Sequence, residues 1–296
     1  MKIGITGATG FIGSELTRQA LAAGHEVVCF SRNGSPRKNL FPDADWRAFS
    51  IDTPIDASGL DAVVHLAGES ILGLWTAAKK ERIRKSRIEG TRRVVEGIAA
   101  ATPAPSVLVS GSAIGFYGNG GDREITEGSP KGKGFLADVA ADWEAEAAKA
   151  ACARVVFLRS GMVLGRGAGA MQWIAPVFKA GLGGKLGSGQ QWMSAIHVND
   201  AAGMVLHAIG SPSVSGPLNA VMPQPIRNIE FTRVVAASAR RPAIFAVPAF
   251  VLQLVLGDLS HLVLDSQRVL PVRATESGYR YQFPDLATAV ADVVRR

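Results

Sequence analysis

Apolar residues open the chain in a short run that leads directly into a glycine-rich turn. Lys2-Ile3-Gly4-Ile5-Thr6 has the length and character of a buried strand, and residues 14–23 have the composition of a helix. Between them lies Gly7-Ala8-Thr9-Gly10-Phe11-Ile12-Gly13. The order of these segments predicts a strand, a tight turn and a helix, which is the repeating unit of an α/β fold.

The same alternation of apolar strands and amphipathic helices continues through the first half of the chain. Further strands are predicted at residues 25–30, 61–66, 106–109 and 154–158, and helices at about residues 76–101 and 135–151. The long helix carries an inner apolar stripe of Ile83, Ile88, Val94, Val95 and Ile98. This pattern predicts a Rossmann-like doubly wound parallel sheet, followed by a smaller C-terminal α/β part that binds the substrate.

The second half is less regular, with many glycines between residues 165 and 189. Its most apolar tract, residues 243–256, is 14 residues long and contains Pro248. That length is too short to span a bilayer, so we predict a buried helix there and no membrane partner. We place one domain at 1–165, with 190–222 returning to it, and the smaller region at 166–296.

Bulk composition narrows the function classes. The 296 residues are 47% hydrophobic, enough for a large core, and the formal net charge is +7. The basic residues are scattered and do not alternate with aromatic residues, so we predict no nucleic-acid partner and only mild attraction for phosphorylated small molecules. The two cysteines, Cys29 and Cys152, are expected to be free thiols. The chain begins with a predicted strand instead of a signal peptide, so we expect a cytoplasmic location.

Each glycine of the first turn has a physical role in binding a dinucleotide. Gly7 allows the tight turn, Gly10 lets backbone amides approach a pyrophosphate, and Gly13 lets the helix pack closely on the sheet. The amino end of the helix then faces the phosphates with its partial positive charge. The spacing is Gly-x-x-Gly-x-x-Gly, and the alternative interpretation is a turn with a purely structural role.

The end of the second strand indicates which dinucleotide binds. NAD sites place an acidic residue there to hold the ribose 2′-hydroxyl. This chain has Ser31 and Arg32 at that point, with Arg37 and Lys38 close behind. A guanidinium pairs with a 2′-phosphate, whereas a carboxylate would repel it, so the sequence favours NADP(H). The alternative for Arg32 is a solvated surface arginine.

Several segments, in order along the chain, carry a resemblance to a known family. They are Gly7-Ala-Thr-Gly10-Phe-Ile-Gly13, His65-Leu-Ala-Gly68, Ser110-Gly-Ser-Ala-Ile-Gly-Phe-Tyr117-Gly118, Leu158-Arg159 and Ile196-His-Val-Asn-Asp200. Together they resemble the extended short-chain dehydrogenase/reductases related to nucleoside-diphosphate-sugar epimerases. Leu66-Ala-Gly-Glu-Ser-Ile71, Asp142-Trp143-Glu144 and Gly278-Tyr-Arg-Tyr-Gln-Phe-Pro284 are similar to an atypical "epimerase family protein" subgroup, which has a small C-terminal domain of unknown function.

The resemblance implies roles for individual residues. Gly7, Thr9, Gly10, Phe11 and Ile12 would line the pyrophosphate. Arg32 would hold the 2′-phosphate. At the nicotinamide end, the ribose would be bordered by Leu66, Ala67 and Gly68, with Glu69 at the mouth of the pocket. Superfamily relatives often pair through helices, so a homodimer is also compatible with the resemblance.

The catalytic pattern of the superfamily is broken in this chain. Typical members use a serine together with a Tyr-x-x-x-Lys pair, in which the lysine lowers the pKa of the phenol. No Tyr-x-x-x-Lys occurs here, and Phe135 and Val139 stand where the pair is expected. Ser112 remains to polarise a substrate oxygen, and Tyr117 is the candidate proton donor. Tyr117 could instead cap its loop, and Glu69 could be a base or simply an acidic loop residue.

Two functions are compatible with these features. The first is an NADP(H)-dependent oxidoreductase or epimerase-like enzyme that acts on an unknown small molecule, which could be nucleotide-linked. The second is a non-catalytic NADP(H)-binding sensor or regulatory protein that lacks the proton relay. The five histidines have no metal-binding spacing, so we predict no metal site.

Overall fold

The computed structural model describes residues 1–32 and 39–295, so Arg37 and Lys38 lie outside the described residues. In chain order, the strands are β1 (Lys2–Thr6), β2 (Glu26–Ser31), β3 (Asp45–Ala48), β4 (Ala62–His65), β5 (Val107–Ala113), β6 (Glu124–Ile125), β7 (Arg154–Ser160), β8 (Met162–Leu164), β9 (Gly184–Leu186), β10 (Trp192–Met193), β11 (Ala195–His197), β12 (Gly216–Ala220), β13 (Ile226–Arg227), β14 (Phe245–Val247) and β15 (Arg268–Val269). The helices are α1 (Phe11–Ala22), α2 (Ala77–Ala100), α3 (Phe135–Ala147), α4 (Met171–Lys179), α5 (Val198–Gly210), α6 (Asn228–Ala239), α7 (Ala249–Leu256), α8 (His261–Leu264), α9 (Val272–Glu276) and α10 (Leu286–Arg295).

Seven strands form one parallel sheet in the order β12-β7-β5-β4-β1-β2-β3. The strand order reverses between β1 and β4, which are direct neighbours. In open parallel sheets, ligands bind beyond the carboxyl ends of the strands at this kind of reversal. The predicted doubly wound parallel sheet is therefore confirmed, and the loops after β1 and β4 lie where a ligand is expected.

Helices cover both faces of the sheet. On one face, α1 and α5 pack together over a core that includes Leu16 and Val205. On the other face, α2 and α3 pack together, and a second core contains Val94 and Ile98. Of the predicted stripe on α2, only Ile88 is half-buried, whereas its other four members are buried. Apolar side chains therefore fill both spaces between sheet and helices.

The second half adds elements that pack beyond the ends of the strands. Helices α4, α6 and α10 enclose a third core around Phe231 and Val290. Short strand pairs link this part to the first half of the chain, since β15 pairs with β6 and β11 pairs with β8. Strand β12 then joins the edge of the main sheet beside β7.

The prediction of a buried helix over residues 243–256 is wrong. The tract forms the short strand β14, then Pro248, then α7, and no residue of α7 is buried. Proline lacks an amide hydrogen and restricts the residue before it, so the helix begins only after Pro248. The high hydropathy of residues 249–256 therefore does not correspond to burial. Within the described part of the chain, no helix has the length and apolar character needed to cross a membrane.

Candidate functional site

The first βα junction has the close geometry that its glycines allow. Gly7 adopts the left-handed conformation, with φ at 73°. The amide of Gly10 donates to the carbonyl oxygen of Gly7 at 2.8 Å. A Cβ atom on Gly13 would lie 2.1 Å from that same oxygen. Gly7 thus permits the turn, and Gly13 permits α1 to approach the strand end closely.

The amino end of α1 is available for an anion. Its N-cap residue is Gly10, which provides no side-chain cap, and no acidic residue lies in the first turn. Amides in the first turn of a helix have no partner within the helix, and they carry the positive end of its dipole. Thr9 and Gly10 are exposed, while Phe11 and Ile12 are half-buried. Together these features make the turn suitable for a phosphate group.

A cavity of about 610 Å³ adjoins this helix end, between α1, residues 165–168 and the start of α5. Thr9, Gly10 and Phe11 line one side of it. The ring of Phe11 lies under the glycine-rich loop, since a Cβ on Gly165 would be 2.5 Å from that ring. The loop that follows β8 therefore packs directly on the predicted phosphate-binding turn.

The carboxyl end of β2 carries an unsatisfied polar group. The hydroxyl oxygen of Ser31 is buried and has no hydrogen-bond partner within the described part of the chain. Arg32 follows it with an exposed side chain. A buried hydroxyl without a partner costs free energy unless a ligand or water satisfies it. Ser31 and Arg32 thus lie together at the carboxyl end of β2, where the sequence predicts contact with the ribose end of a dinucleotide.

The loop after β4 lies against the loop after β1. A Cβ on Gly7 would be 2.8 Å from the amide nitrogen of Ala67, and that amide donates to the hydroxyl of Thr6 at 3.4 Å. Leu66 and Ala67 are half-buried, and Gly68 is exposed. The structure therefore brings the predicted pyrophosphate residues and the predicted ribose-bordering residues to one edge of the sheet.

Glu69 is ion-paired in this loop. Its carboxylate accepts a hydrogen bond from Lys79 Nζ at 2.7 Å, and Arg82 Nε lies 3.6 Å away. The hydrogen bond from Lys79 holds the pKa of the Glu69 carboxyl below its usual range. An ionised, paired carboxylate is a weak proton acceptor at neutral pH. This geometry favours a structural role for Glu69 over the role of a base.

Beneath the loop, the buried His65 and the half-buried Arg87 lie near one another. His65 Nδ1 is 2.7 Å from the hydroxyl of Thr6, and Arg87 Nη1 donates to the carbonyl oxygen of Glu69 at 3.0 Å. Burial, together with the charge of Arg87, lowers the pKa of His65 to about 3. His65 is therefore neutral at physiological pH, and the pair supports the loop from below.

Ser112 and Tyr117 belong to one buried polar network. The Ser112 hydroxyl donates to Glu144 Oε1 at 2.6 Å, and Arg159 forms a two-pronged ion pair with the Glu144 carboxylate, at 2.8 and 2.7 Å. The Tyr117 hydroxyl donates to Asn219 Oδ1 at 2.7 Å and accepts from Arg159 Nη1 at 2.9 Å. Burial raises the pKa of Tyr117. Both hydroxyls thus have protein partners, and their catalytic role stays a prediction.

Sequence reasoning gave no functional role to Glu144 and Arg159, which join the two predicted catalytic residues. Both residues occur only within the segments that carry the family resemblance, Asp142-Trp143-Glu144 and Leu158-Arg159. A signal was available, since Arg159 lies in the apolar strand β7, where a charged side chain needs a buried partner.

The two positions where a tyrosine and a lysine are expected lie on the first turns of α3. Phe135 is half-buried, with its ring centroid 5.5 Å from that of Trp75. Val139 is buried one turn further on. Neither side chain carries an exchangeable proton, so these positions hold no proton relay.

Asp200 lies in the first turn of α5 and fixes the C-terminal tail. Its carboxylate accepts hydrogen bonds from the Tyr279 hydroxyl at 3.0 Å, the Gln282 amide at 2.7 Å and the Phe283 amide at 2.9 Å. At the helix start, His197 Nδ1 accepts from the Asn199 amide at 3.2 Å. This motif orders the junction between β11 and α5 and holds the tail against it.

Comparisons with known proteins agree with this geometry. Residues 3–220 match the model of the NAD dependent epimerase/dehydratase family, and residues 247–293 match a domain of unknown function, DUF1731. The Bacillus subtilis epimerase family protein YfhF is 36% identical over 99% of this chain and 98% of its own length. The Arabidopsis thaliana epimerase family protein SDR39U1 homolog, chloroplastic, is 37% identical over 100% of this chain and 87% of its own length.

Solved structures give the same result. The human epimerase family protein SDR39U1 (isoform 2), crystallised with NADPH, superposes with a TM-score of 0.89 at 34% identity, over 99% of both chains. A UDP-glucose 4-epimerase from Thermotoga maritima superposes with a TM-score of 0.77 at 17% identity, over 99% of this chain and 97% of its own. The second likeness concerns the fold alone.

Proposed function

The chain belongs to the NAD dependent epimerase/dehydratase family, and from this premise we propose that it binds NADP(H) and acts as an oxidoreductase on a small carbonyl compound. The uncapped amino end of α1, beside the Gly7–Gly13 turn, is the observation that carries the proposal. Helix ends of this kind bind pyrophosphate through backbone amides. The human relative crystallised with NADPH supports the same cofactor.

The residues at the end of β2 support the phosphorylated cofactor. The buried, unsatisfied hydroxyl of Ser31 would meet the ribose, and the Arg32 guanidinium would pair with the 2′-phosphate. Leu66, Ala67 and Gly68 would border the ribose on the nicotinamide side, because their loop touches Gly7.

Ser112 is the residue that we propose to polarise the substrate oxygen. NADPH, when bound, would supply the hydride to the carbonyl carbon, and the resulting alkoxide would take a proton from the Ser112 hydroxyl, which is replaced from solvent. Ser112 lies near the carboxyl end of β5, at the edge of the sheet where ligands bind. The Ser112 hydroxyl donates a hydrogen bond to Glu144, so this hydroxyl must turn away from Glu144 to reach the substrate. The ion pair with Arg159 balances the charge of Glu144 when that happens. Tyr117 has two buried partners and serves in this proposal to position Arg159.

Cofactor choice is tested with Arg32→Ala. Loss of one charge-assisted contact to a phosphate should weaken NADPH binding by about 10- to 100-fold and leave NADH binding unchanged. Calorimetric titration of both cofactors measures this difference. The matched control is Arg233→Ala, which removes an exposed arginine on α6 and should change neither affinity. Equal NADPH affinity for Arg32→Ala and the unmodified chain would contradict the assignment.

A non-catalytic NADP(H) sensor is the second candidate. It is favoured by Phe135 and Val139 on α3 and by the engaged hydroxyls of Ser112 and Tyr117. Single-turnover oxidation of bound NADPH by a panel of ketones and aldehydes separates the two functions. If the chain is an enzyme, we expect some of these compounds to oxidise bound NADPH, and the rate to fall about 100-fold in Ser112→Ala. Tight binding without hydride loss to any member favours the sensor.

A further inference from the structure

Arg87, in the middle of α2, is a half-buried cation that lacks a carboxylate partner within the described part of the chain. Burial lowers the pKa of Arg87 to about 10, so its guanidinium remains charged at neutral pH. The nearby carboxylate of Glu69 is already bonded to Lys79 at 2.7 Å. An ionised side chain that is removed from water without an opposite charge costs free energy. Arg87 therefore carries a positive charge that no ion pair among these residues balances.

The guanidinium of Arg87 also has unused hydrogen-bond donors. Its Nη1 donates to the carbonyl oxygens of Glu69 at 3.0 Å and of Ile83 at 3.2 Å. Its Nε and Nη2, which carry the other N–H groups of the planar fork, have no hydrogen-bond partner among the described residues. The guanidinium carbon lies 5.1 Å from the centre of the Trp143 ring, and this contact restrains the orientation of the fork. Arg87 is thus held in place by the protein while part of its fork remains unbonded.

Arg87 lies against the loop that follows β4. A Cβ on Gly68 would be 3.5 Å from both Cζ and Nη1 of Arg87, and Gly68 itself is exposed. The same loop touches the first βα turn, because a Cβ on Gly7 would lie 2.8 Å from the amide nitrogen of Ala67. Arg87 and the glycine turn before α1 therefore contact adjacent residues of one loop.

Other cations near the starts of α2 and α3 differ from Arg87 in pairing or in burial. Lys79 and Lys80 are each ion-paired. Arg82 and Lys133 are exposed. An exposed cation is screened by water and salt, so it gains less from a bound anion than a half-buried cation does. Of these residues, Arg87 therefore has the most to gain from an anionic ligand.

From these observations, and resting on the proposed function, we propose that Arg87 binds the diphosphate of NADP(H). The amides at the start of α1 offer this group only the partial positive charge of a helix end. A guanidinium adds a full charge and a planar pair of donors that matches phosphate oxygens. Arg87 thus acts on the diphosphate that NADPH and NADH share, whereas Arg32 acts on the 2′-phosphate that only NADPH has.

Calorimetric titration with NADPH, NADH and ADP-ribose tests this assignment, because all of these probes contain the diphosphate. We expect Arg87→Gln to raise each dissociation constant by about 10- to 100-fold, since one charge-assisted contact to phosphate is lost. Arg87→Lys keeps the charge but not the planar fork, so its losses should be smaller. The matched control is Arg93→Gln, which removes another half-buried arginine of α2 that donates to a backbone carbonyl and should change none of the affinities.

Phosphorus NMR of bound NADPH separates contact with the diphosphate from support of the loop, and it uses Arg87→Lys, which also serves if Arg87→Gln does not fold. The diphosphate resonances should shift in this variant, whereas the 2′-phosphate resonance should not. Unchanged diphosphate resonances, or equal affinities in Arg87→Gln and Arg93→Gln, would overturn the role of Arg87 and leave the proposed function intact.

The pattern across the probes gives two further outcomes. A loss confined to NADPH would overturn the proposal, because Arg87 would then act on the 2′-phosphate. If the unmodified chain bound none of the probes, the proposed function itself would be overturned.

Discussion

Individual side chains at the end of the sheet divide into those available to a ligand and those already bonded to the protein. The Ser31 hydroxyl has no protein partner among the described residues and the start of α1 has no side-chain cap, whereas Ser112, Tyr117 and Glu69 each have protein partners. Groups that could bind a ligand at this edge therefore lack protein partners. The groups that could transfer a proton would first have to break their hydrogen bonds to the protein. Cofactor binding therefore needs less rearrangement at this edge than proton transfer does.

His65 makes stability depend on pH. Its pKa is about 3 in the folded chain, far below the value of about 6.5 expected when unfolded. The unfolded chain therefore gains a proton below pH 6.5 that the folded chain does not bind. Stability is full above that pH and falls as pH decreases towards 3. By pH 5 the loss should be about 2 kcal/mol.

Urea unfolding at pH 7 and pH 5 measures the contribution of His65. His65→Gln keeps a polar atom near Thr6 but does not titrate, so this variant should lose about 2 kcal/mol less between the two pH values. The control is His25→Gln, immediately before β2, where the side chain is only half-buried. The same pH dependence in His65→Gln and the unmodified chain would show that His65 is charged in the fold.

At the level of elements, the tail from Tyr279 to Phe283 is held by one carboxylate. Asp200→Asn should destabilise the fold by about 2 kcal/mol, because the new amide group meets backbone donors with a donor of its own. Urea unfolding measures the loss, and limited proteolysis reports release of the tail. Asp138→Asn, in the exposed first turn of α3, should cost under about 1 kcal/mol. A similar effect from both substitutions would argue against the tail contact.

How far the sequence predicts these elements depends on how local each signal is. Strands β1, β2 and β4 and helix α2 are predicted within about one residue of their observed bounds, because period and glycine placement are local properties. The prediction for β5 stops at residue 109 instead of 113, that for β7 stops at 158 instead of 160, and that for α1 begins at 14 instead of 11. The prediction that α7 is buried is wrong, because the hydropathy of a segment does not determine whether other elements cover it. The Ser112–Glu144–Arg159 network was also beyond the sequence, since it joins β5, α3 and β7 across distant parts of the chain.

For the molecule as a whole, the two halves are interleaved. Strands β8 to β11 lie outside the main sheet, and β12, which follows them in the chain, is again a member of it. The C-terminal tail also packs on α5. The pairing of β15 with β6 and the ion pair of Asp258 with Lys80 add further links. Neither half is bounded by a single linker, so we expect the chain to unfold in one cooperative transition.

This interleaving predicts how a cofactor acts on stability. NADPH at 100 times its dissociation constant should stabilise the fold by about 2.7 kcal/mol and raise the single melting temperature by about 4 °C. NADH at the same concentration should raise it less, because it has no 2′-phosphate for Arg32. Calorimetry measures both shifts, with Arg32→Ala as the variant in which the two cofactors become equal. Two separate transitions, of which NADPH moves only one, would contradict the single cooperative unit but leave the cofactor site intact.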